Sequence, residues 1–409
     1  MELALPEKSL LGVYEPLDLP DRRAGEEVVA EALARPIGAR PLRELVRGRQ
    51  RVVLLVDDIT RPTPASRILP PILKELKQGG MPPEACTVLI AGGTHRTMTP
   101  EELEQKLGPE VAVSVEVRCH SAQTAELVTL DDPEGQIPIH VNRLAVEADL
   151  LVGVGQILPH AISGFSGGGK IVAPGICGRE TIRAVHWSMH LTSTAQLYWF
   201  RDNPVREAID RVARRARLEF LVNVITDKQG DIAAAVAGDP VAAHREGCNL
   251  TPRYRGVVLP QQADVVVADA LPFDVDWWQA IKALPAAAHV CRPGGSIIVI
   301  ADCPEGFAPE YQEPVRYGYP PADKVKRMVK EGVLDGIVGA HMLIGSAAAE
   351  ENRRITLVSA GLSDKEVMGM GFTRRELVQQ TLEECIRDLG TKARVAVLPA
   401  AAQIIPRIS

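Results

Sequence analysis

Aromatic residues make up only 4% of this 409-residue chain, so aliphatic side chains must fill its cores. Long apolar runs are missing as well. Aliphatic stretches such as Val52–Val56 and Ile297–Ile300 fall far short of the ~20 residues that cross a bilayer, so no membrane partner is expected. No long run of Lys or Arg accompanies the formal net charge of -6, which argues against nucleic acid as the main partner. The opening stretch MELALPEKSLLGVYEP has no basic segment followed by an apolar one, so no secretory signal is expected there. The seven cysteines are odd in number, scattered, and free of any Cys-x-x-Cys pair, which predicts reduced thiols and a cytoplasmic protein. No Cys/His spacing fits a structural zinc site. What remains is a globular balance of 46% hydrophobic and 24% charged residues, long enough for two or three domains.

Short aliphatic runs alternate with helical patterns. Strands are predicted at Arg51–Val56, Cys86–Ala91, Asp149–Val154, Leu218–Thr226, Asp264–Ala268, Ser296–Ala301, Ile355–Val358 and Arg394–Val397. Helices are predicted near Ser66–Lys77, Glu101–Leu107, Val275–Cys291, Ala322–Glu331, Val338–Glu350 and Thr373–Asp388. Thr99 with Pro100 reads as the start of the second of these. Such alternation predicts an α/β fold of two domains with mostly parallel sheets and an active-site cleft between them. Polar Gln261-Gln262 breaks the pattern, which divides the chain into residues 1–262 and 263–409.

The most informative segment is ILPHAISGFSGGGKIVAPGICG, from Ile157 to Gly178. Five glycines between Gly164 and Gly175 let backbone N–H groups approach an anion closely. Gly164–Lys170 spells most of a phosphate-binding loop, which keeps a nucleotide-dependent phosphotransferase as an alternative. Ile171, however, stands where that loop needs a magnesium-binding hydroxyl. Gly164–Gly168 also spells G-x-S-x-G. A nucleophile elbow needs a strand directly before it and a helix directly after, and neither is predicted here.

The run HAISGFSGGGKIVAPG, with His160, Lys170 ten residues on and His186 sixteen beyond that, resembles the nickel-dependent lactate racemase family. Three further segments agree in order. Asp57-Asp58-Ile59-Thr60-Arg61-Pro62 resembles the family's D-x-x-R-x-x segment, Gly93-Thr94-His95-Arg96 its G-x-H-R segment, and Trp278-Gln279-Ala280-Ile281-Lys282 its aromatic-Gln-x-x-Lys segment.

The resemblance implies a racemase or epimerase of a 2-hydroxy acid. Its cofactor would be a nickel-pincer nucleotide, a pyridinium-3-thioamide-5-thiocarboxylic acid mononucleotide, joined to Lys170 and with nickel held by His186. His190 misses the spacing by one helical turn. His95 and His160 would be the general acid and base, Arg61, Gln279 and Lys282 would hold the substrate, and Asp58, Ser166, Gly167 and Gly168 would contact the cofactor. Proteins that make and deliver the cofactor are expected partners. The chemistry suits these residue types. Inversion at a weakly acidic C–H can proceed by hydride removal and return, which no side chain accepts, so a cofactor must. Two imidazoles can then serve the hydroxyl proton from either side, and a guanidinium can grip a carboxylate through two parallel hydrogen bonds. Other 2-hydroxy acids, such as malate, an aromatic hydroxy acid or a sugar acid, fit the same chemistry. His120, His140, His244, His289 and His341 read as structural histidines with satisfied rings, and Cys177 as a buried bystander.

Overall fold

Val52–Asp57 is buried at its first five positions, as a strand covered on both faces must be. In the computed structural model, which describes residues 3–5, 8–17, 24–135, 137–191, 202–308, 311–390 and 392–409, this strand lies inside a six-stranded sheet. The order is Ile232–Gly238, Leu218–Thr226, Leu150–Gln156, Val52–Asp57, Cys86–Ala91, Glu116–Cys119. Every neighbouring pair is parallel except the first, which is antiparallel. Successive side chains point to opposite faces and so divide between two cores. Leu54 and Val56 pack with Ile68, Leu69 and Ile72 of helix Ala65–Gln78. Val53 and Leu55 join Val172, and Ile182 and Val185 of helix Arg179–Trp187.

A second six-stranded sheet has the order Leu10–Val13, Val395–Leu398, Ala263–Asp269, Cys291–Ile300, Arg354–Val358, Thr373–Arg375, all parallel. The chain is therefore α/β with mostly parallel sheets. Some details depart from the sequence-based expectation. Leu10–Val13, which the sequence assigns to the N-terminal unit, pairs with Val395–Leu398 in the sheet of the C-terminal half. A four-residue edge strand carries no pattern that names its partner. Residues 373–375 are an edge strand beside Arg354–Val358, and the helix expected from Thr373 starts at Val378. Pairing with an open sheet edge outweighed helix propensity there.

Each sheet reverses its strand order once. In the first, the chain runs outward from Val52–Asp57 to one side and then returns to lay Leu150–Gln156 on the other. In the second, Ala263–Asp269 has Cys291–Ile300 on one side and Val395–Leu398 on the other. Loops leaving such neighbouring strands diverge and open a crevice at the carboxyl ends. One apolar core runs from Val53 and Leu55 through Ile182 and Val185 to Ile337, Ile297 and Val299, so it is shared by both halves. Helix Gly336–Ala349 sits against helix Arg179–Trp187, and the missing side chains of Gly336 and Gly339 admit Arg183 and Trp187.

The loop carrying Lys170 is anchored at Gly175, whose carbonyl accepts from Gly93 N at 2.9 Å. A Cβ on Gly175 would stand 2.2 Å from the Ile171 carbonyl oxygen. Gly175→Ala should therefore cost roughly 1–3 kcal/mol by forcing backbone apart. Thermal unfolding should show a Tm several degrees lower, and an unchanged Tm would contradict the packing described.

Candidate active site

Three loops leave adjacent parallel strands at the same edge. The first follows Val52–Asp57 and carries Asp58, Thr60 and Arg61. The second follows Cys86–Ala91 and carries His95. They are tied together: His95 Nδ1 lies 2.5 Å from Asp58 Oδ2, Thr60 Oγ1 donates to Asp58 Oδ1 at 2.5 Å, and Arg61 Nη1 donates to Thr60 Oγ1 at 2.8 Å. Burial alone would raise the Asp58 pKa, but the His95 hydrogen bond, the charges of His95 and Arg61, and the Thr60 hydrogen bond hold it well below the carboxylate range. An ionised Asp58 accepting from Nδ1–H leaves Nε2 of His95 as the basic nitrogen. The neighbouring Asp57 is occupied otherwise, 2.7 Å from Lys106 Nζ and accepting from Thr63 Oγ1.

The third loop follows Leu150–Gln156. Pro159–His160 pairs antiparallel with Gly164–Phe165, and a 3-10 turn at Gly168–Ile171 then presents Lys170. No helix follows Gly168 directly, so the nucleophile-elbow reading fails on geometry as well as on sequence. Gly167 and Gly168 have φ of 74° and 61°, the left-handed region that favours glycine. Buried side chains hold this turn from behind. Asn223 Oδ1 accepts from Gly168 N at 2.8 Å, Arg206 donates to the carbonyls of Gly167 and Phe165, and His244 Nε2 donates to Ser166 O at 2.9 Å. His160 Nδ1 accepts from Ile162 N at 3.2 Å, which places its proton on Nε2, 3.4 Å from Lys170 Nζ. That arrangement suits a neutral amine. Burial first, then the charges of Arg206 and Arg61, push the Lys170 pKa well down. Burial and the charges of Lys170, Lys282, Arg61 and His186 likewise push His160 down.

His186 lies near the end of helix Arg179–Trp187, where its Nδ1 donates to Ile182 O at 2.8 Å. Nε2 is left with its lone pair, the arrangement a metal-binding imidazole needs. Burial first, then Lys170, holds its pKa at about 4. From the C-terminal half, Asp276 caps the turn Trp277–Ala280 by accepting from Gln279 N at 2.7 Å, and Gln279 Oε1 accepts from Lys282 Nζ. Lys282 also stands 4.7 Å from the centre of the Phe273 ring. Burial and the charges of Arg61 and Lys170 push its pKa well down.

One cavity of about 180 Å³ gathers these groups: Asp58, Arg61, His95, His160, Ser166, Gly167, Lys170, His186, Gln279 and Lys282 all line it. It has room for on the order of ten waters, more than a three-carbon acid alone displaces. Gly168 is not on the wall, and its amide is taken by Asn223, so the expected contact from Gly168 to a cofactor has no basis in this arrangement. Ser166 Oγ donates to Gln156 O and accepts from Leu158 N, which spends its only proton internally. His190 stacks on Trp187 and stays off the wall. Cys177 donates to Val172 O within the core, as a bystander would.

His120 and His244 behave as structural histidines, with partners in Cys177, Asn142 and Ser166. His341 does not. It lines the cavity, is only 4% exposed, and neither ring nitrogen has a hydrogen-bond partner among the described residues. No spacing in the sequence distinguishes it, because the helix Gly336–Ala349 is apolar nearly throughout. Asn223 was also missed; it sits mid-strand, where only the fold brings it under the glycine turn.

Fold and cavity define a class: a two-sheet α/β protein whose two halves enclose one cation-rich pocket at the carboxyl ends of their strands. Residues 1–197 match the lactate racemase N-terminal domain, and residues 258–405 the lactate racemase C-terminal domain. The chain belongs to the lactate racemase family. It is 29% identical to a lactate racemase of Thermoanaerobacterium thermosaccharolyticum over 93% of this chain and 90% of that one. Against a lactate racemase of Lactiplantibacillus plantarum the identity is 34%, over 70% of this chain and 68% of the other. The solved structure of the Thermoanaerobacterium apoprotein superposes with a TM-score of 0.87 at 28% identity, covering 99% of this chain and 97% of that one. A Thermotoga maritima protein at 22% identity shares the fold, with a TM-score of 0.74 over 94% of this chain and 98% of its own. Among the described residues no helix is long and apolar enough to cross a membrane.

The buried imidazoles have a consequence for stability. Burial, then the Lys282 charge, holds His341 at about 3; the Trp278 backbone pulls slightly the other way without meeting hydrogen-bond geometry. An unfolded histidine titrates near 6.5. Above that pH both states are neutral and stability is full. As pH falls below it, the unfolded chain binds a proton that folded His341 refuses, so stability is lost down to the folded pKa. The contribution at pH 5 is roughly 2 kcal/mol. Tm should fall between pH 7.5 and 5, and His341→Leu should make that fall shallower.

Proposed function

We propose that this protein racemises or epimerises a small 2-hydroxy acid, lactate or a close relative, with a nickel-pincer nucleotide tethered to Lys170. The observation that carries this reading is the convergence of Lys170, His186, His95, His160, Arg61 and Lys282, from both halves of the chain, on one cavity.

The residues present fit that cofactor. A neutral lysine amine is the form that can be acylated, and burial favours it here. His186 offers one oriented imidazole nitrogen. Among the described residues no three His, Cys, Asp or Glu side chains cluster as metal ligands, so a metal here would need further donors brought by its cofactor. Arg61 and Lys282 give the cavity a positive character suited to an anionic ligand. When bound, the cofactor supplies reversible acceptance of a hydride.

The remaining work belongs to the side chains. Arg61 and Lys282 neutralise the substrate carboxylate, and Gln279 keeps the Lys282 ammonium in place. His95 takes or returns the hydroxyl proton at Nε2, with Asp58 fixing its ring. His160, on the neighbouring loop, is the second acid/base, reaching the hydroxyl from another direction with Nε2–H as a donor while Nδ1 accepts from Ile162 N. Two bases are needed because the enantiomers present their hydroxyls differently once the carboxylate is held. Burial of His160, Lys170 and Lys282 away from water strengthens each of these charge interactions.

Intact mass tests the tether. Protein co-produced with the cofactor-making enzymes should carry an adduct, and Lys170→Ala should not. Polarimetry on a panel of 2-hydroxy acids then tests turnover. An adduct-free wild type that binds a nucleoside triphosphate would replace this reading with a phosphotransferase. His95→Ala and His160→Ala should each keep adduct and nickel yet lose about 10²–10⁴-fold in racemisation rate. Loss of nickel from either would reassign that histidine as a ligand.

A further inference from the structure

The wall of the cavity contributed by helix Gly336–Ala349 consists of Ile337, His341 and Ile344. These are spaced four and three residues apart, so they share one face of the helix. Two of the three are aliphatic, and a third aliphatic residue would complete an apolar wall suited to a methyl group. An imidazole stands there instead. Its ring lies flat on Trp278, with centroids 3.9 Å apart and planes 4° from parallel, and Trp278 lies on Tyr311 at 4.1 Å. Tyr319 flanks it at 6.1 Å. Stacking fixes the ring plane but satisfies neither nitrogen, and both are buried without a partner. Buried polar atoms left in that state are destabilising unless something completes them. Such a group, rigidly held on the wall of a ligand cavity, is a recognition element awaiting its ligand.

Its place on the wall is set by Trp278, the ring on which it stacks. Trp278 directly precedes Gln279 and lies four residues before Lys282, and all three line the cavity. The imidazole thus stacks on the segment that carries the proposed carboxylate-binding lysine. A neutral imidazole donates at one nitrogen and accepts at the other, which matches a hydroxyl better than a carboxylate.

We propose that His341 is a specificity-determining residue that hydrogen-bonds a hydroxyl on C3 of the substrate, so that 2,3-dihydroxy acids are preferred over lactate. This rests on the racemase reading above and names the substrate class of that same site. A site built to bond a hydroxyl discriminates strongly against an analogue that lacks it, because its own polar atoms are then left unpaired.

The test uses adduct-bearing protein and compares kcat/KM for racemisation of glycerate and lactate, which differ only in the C3 hydroxyl. Wild type should favour glycerate by about tenfold or more. His341→Leu should lose that preference by slowing glycerate while sparing lactate, and His341→Gln, which keeps a donor and an acceptor, should retain part of it. Thermal unfolding checks that both variants fold, and Leu should not lower Tm at pH 7.5. A wild type that favours lactate, or an equal loss on both acids in His341→Leu, as expected if the ring held the shared carboxylate, would overturn the proposal. If wild type inverts neither acid, the racemase reading fails by itself. The ring is then read directly by ¹⁵N NMR of histidine-labelled protein: a shift of the His341 nitrogens with glycerate and not with lactate supports the assignment, and no difference between the acids refutes it.

Discussion

The buried guanidinium of Arg206 holds the cavity in shape. It donates to the carbonyls of Gly167 and Phe165 and lies 3.6 Å from Asp210 across one helical turn. A glycine-rich turn has high conformational entropy when unfolded, and one with left-handed residues at Gly167 and Gly168 has few side-chain contacts of its own to hold it. Fixed donors and acceptors behind it, from Arg206, Asn223 and His244, do that work. Without them Lys170 would have no defined position relative to His160 and His186. The flexible backbone admits the ligand, and the rigid cluster beneath it decides where the amine stands.

The same layering appears around each functional group. His95 is oriented by Asp58, Asp58 by Thr60, and Thr60 also holds Arg61. His186 is oriented by its own helix through Ile182, and Lys282 by Gln279. His95, Arg61, His186 and Lys282 thus each have a hydrogen bond that fixes the side chain beside the cavity it lines. Charges crowd one another there: Arg61 lowers the proton affinity of Lys170 and Lys282, and Lys170 that of Lys282. Such a cluster is stable in a folded protein only where burial neutralises part of it or an anionic ligand completes it.

His341 is the exception to that layering, since no described residue hydrogen-bonds its nitrogens. It contrasts with His120, whose ring is bonded on both edges and which faces the core. Two buried histidines in one chain, one satisfied and one not, show how little residue type says about role. The partner count and the cavity separate them.

Much of this protein is legible in one dimension. Alternating strands and helices, punctuated by glycine, set the α/β class, because hydrophobic periodicity is a local property. The segments around Asp58, His95, His160–Lys170 and Lys282 are also readable, because their residue types at short spacing resemble a family's motifs, and the fold brings them to one cavity. Tertiary structure alone decided the rest. It carried Leu10–Val13 across to the far sheet, laid Asn223 and Arg206 beneath the glycine turn, and left His341 unpaired on the cavity wall. Those outcomes depend on which surfaces meet after tens to hundreds of residues have intervened. No window of sequence contains both members of such a contact, so no local pattern can announce it.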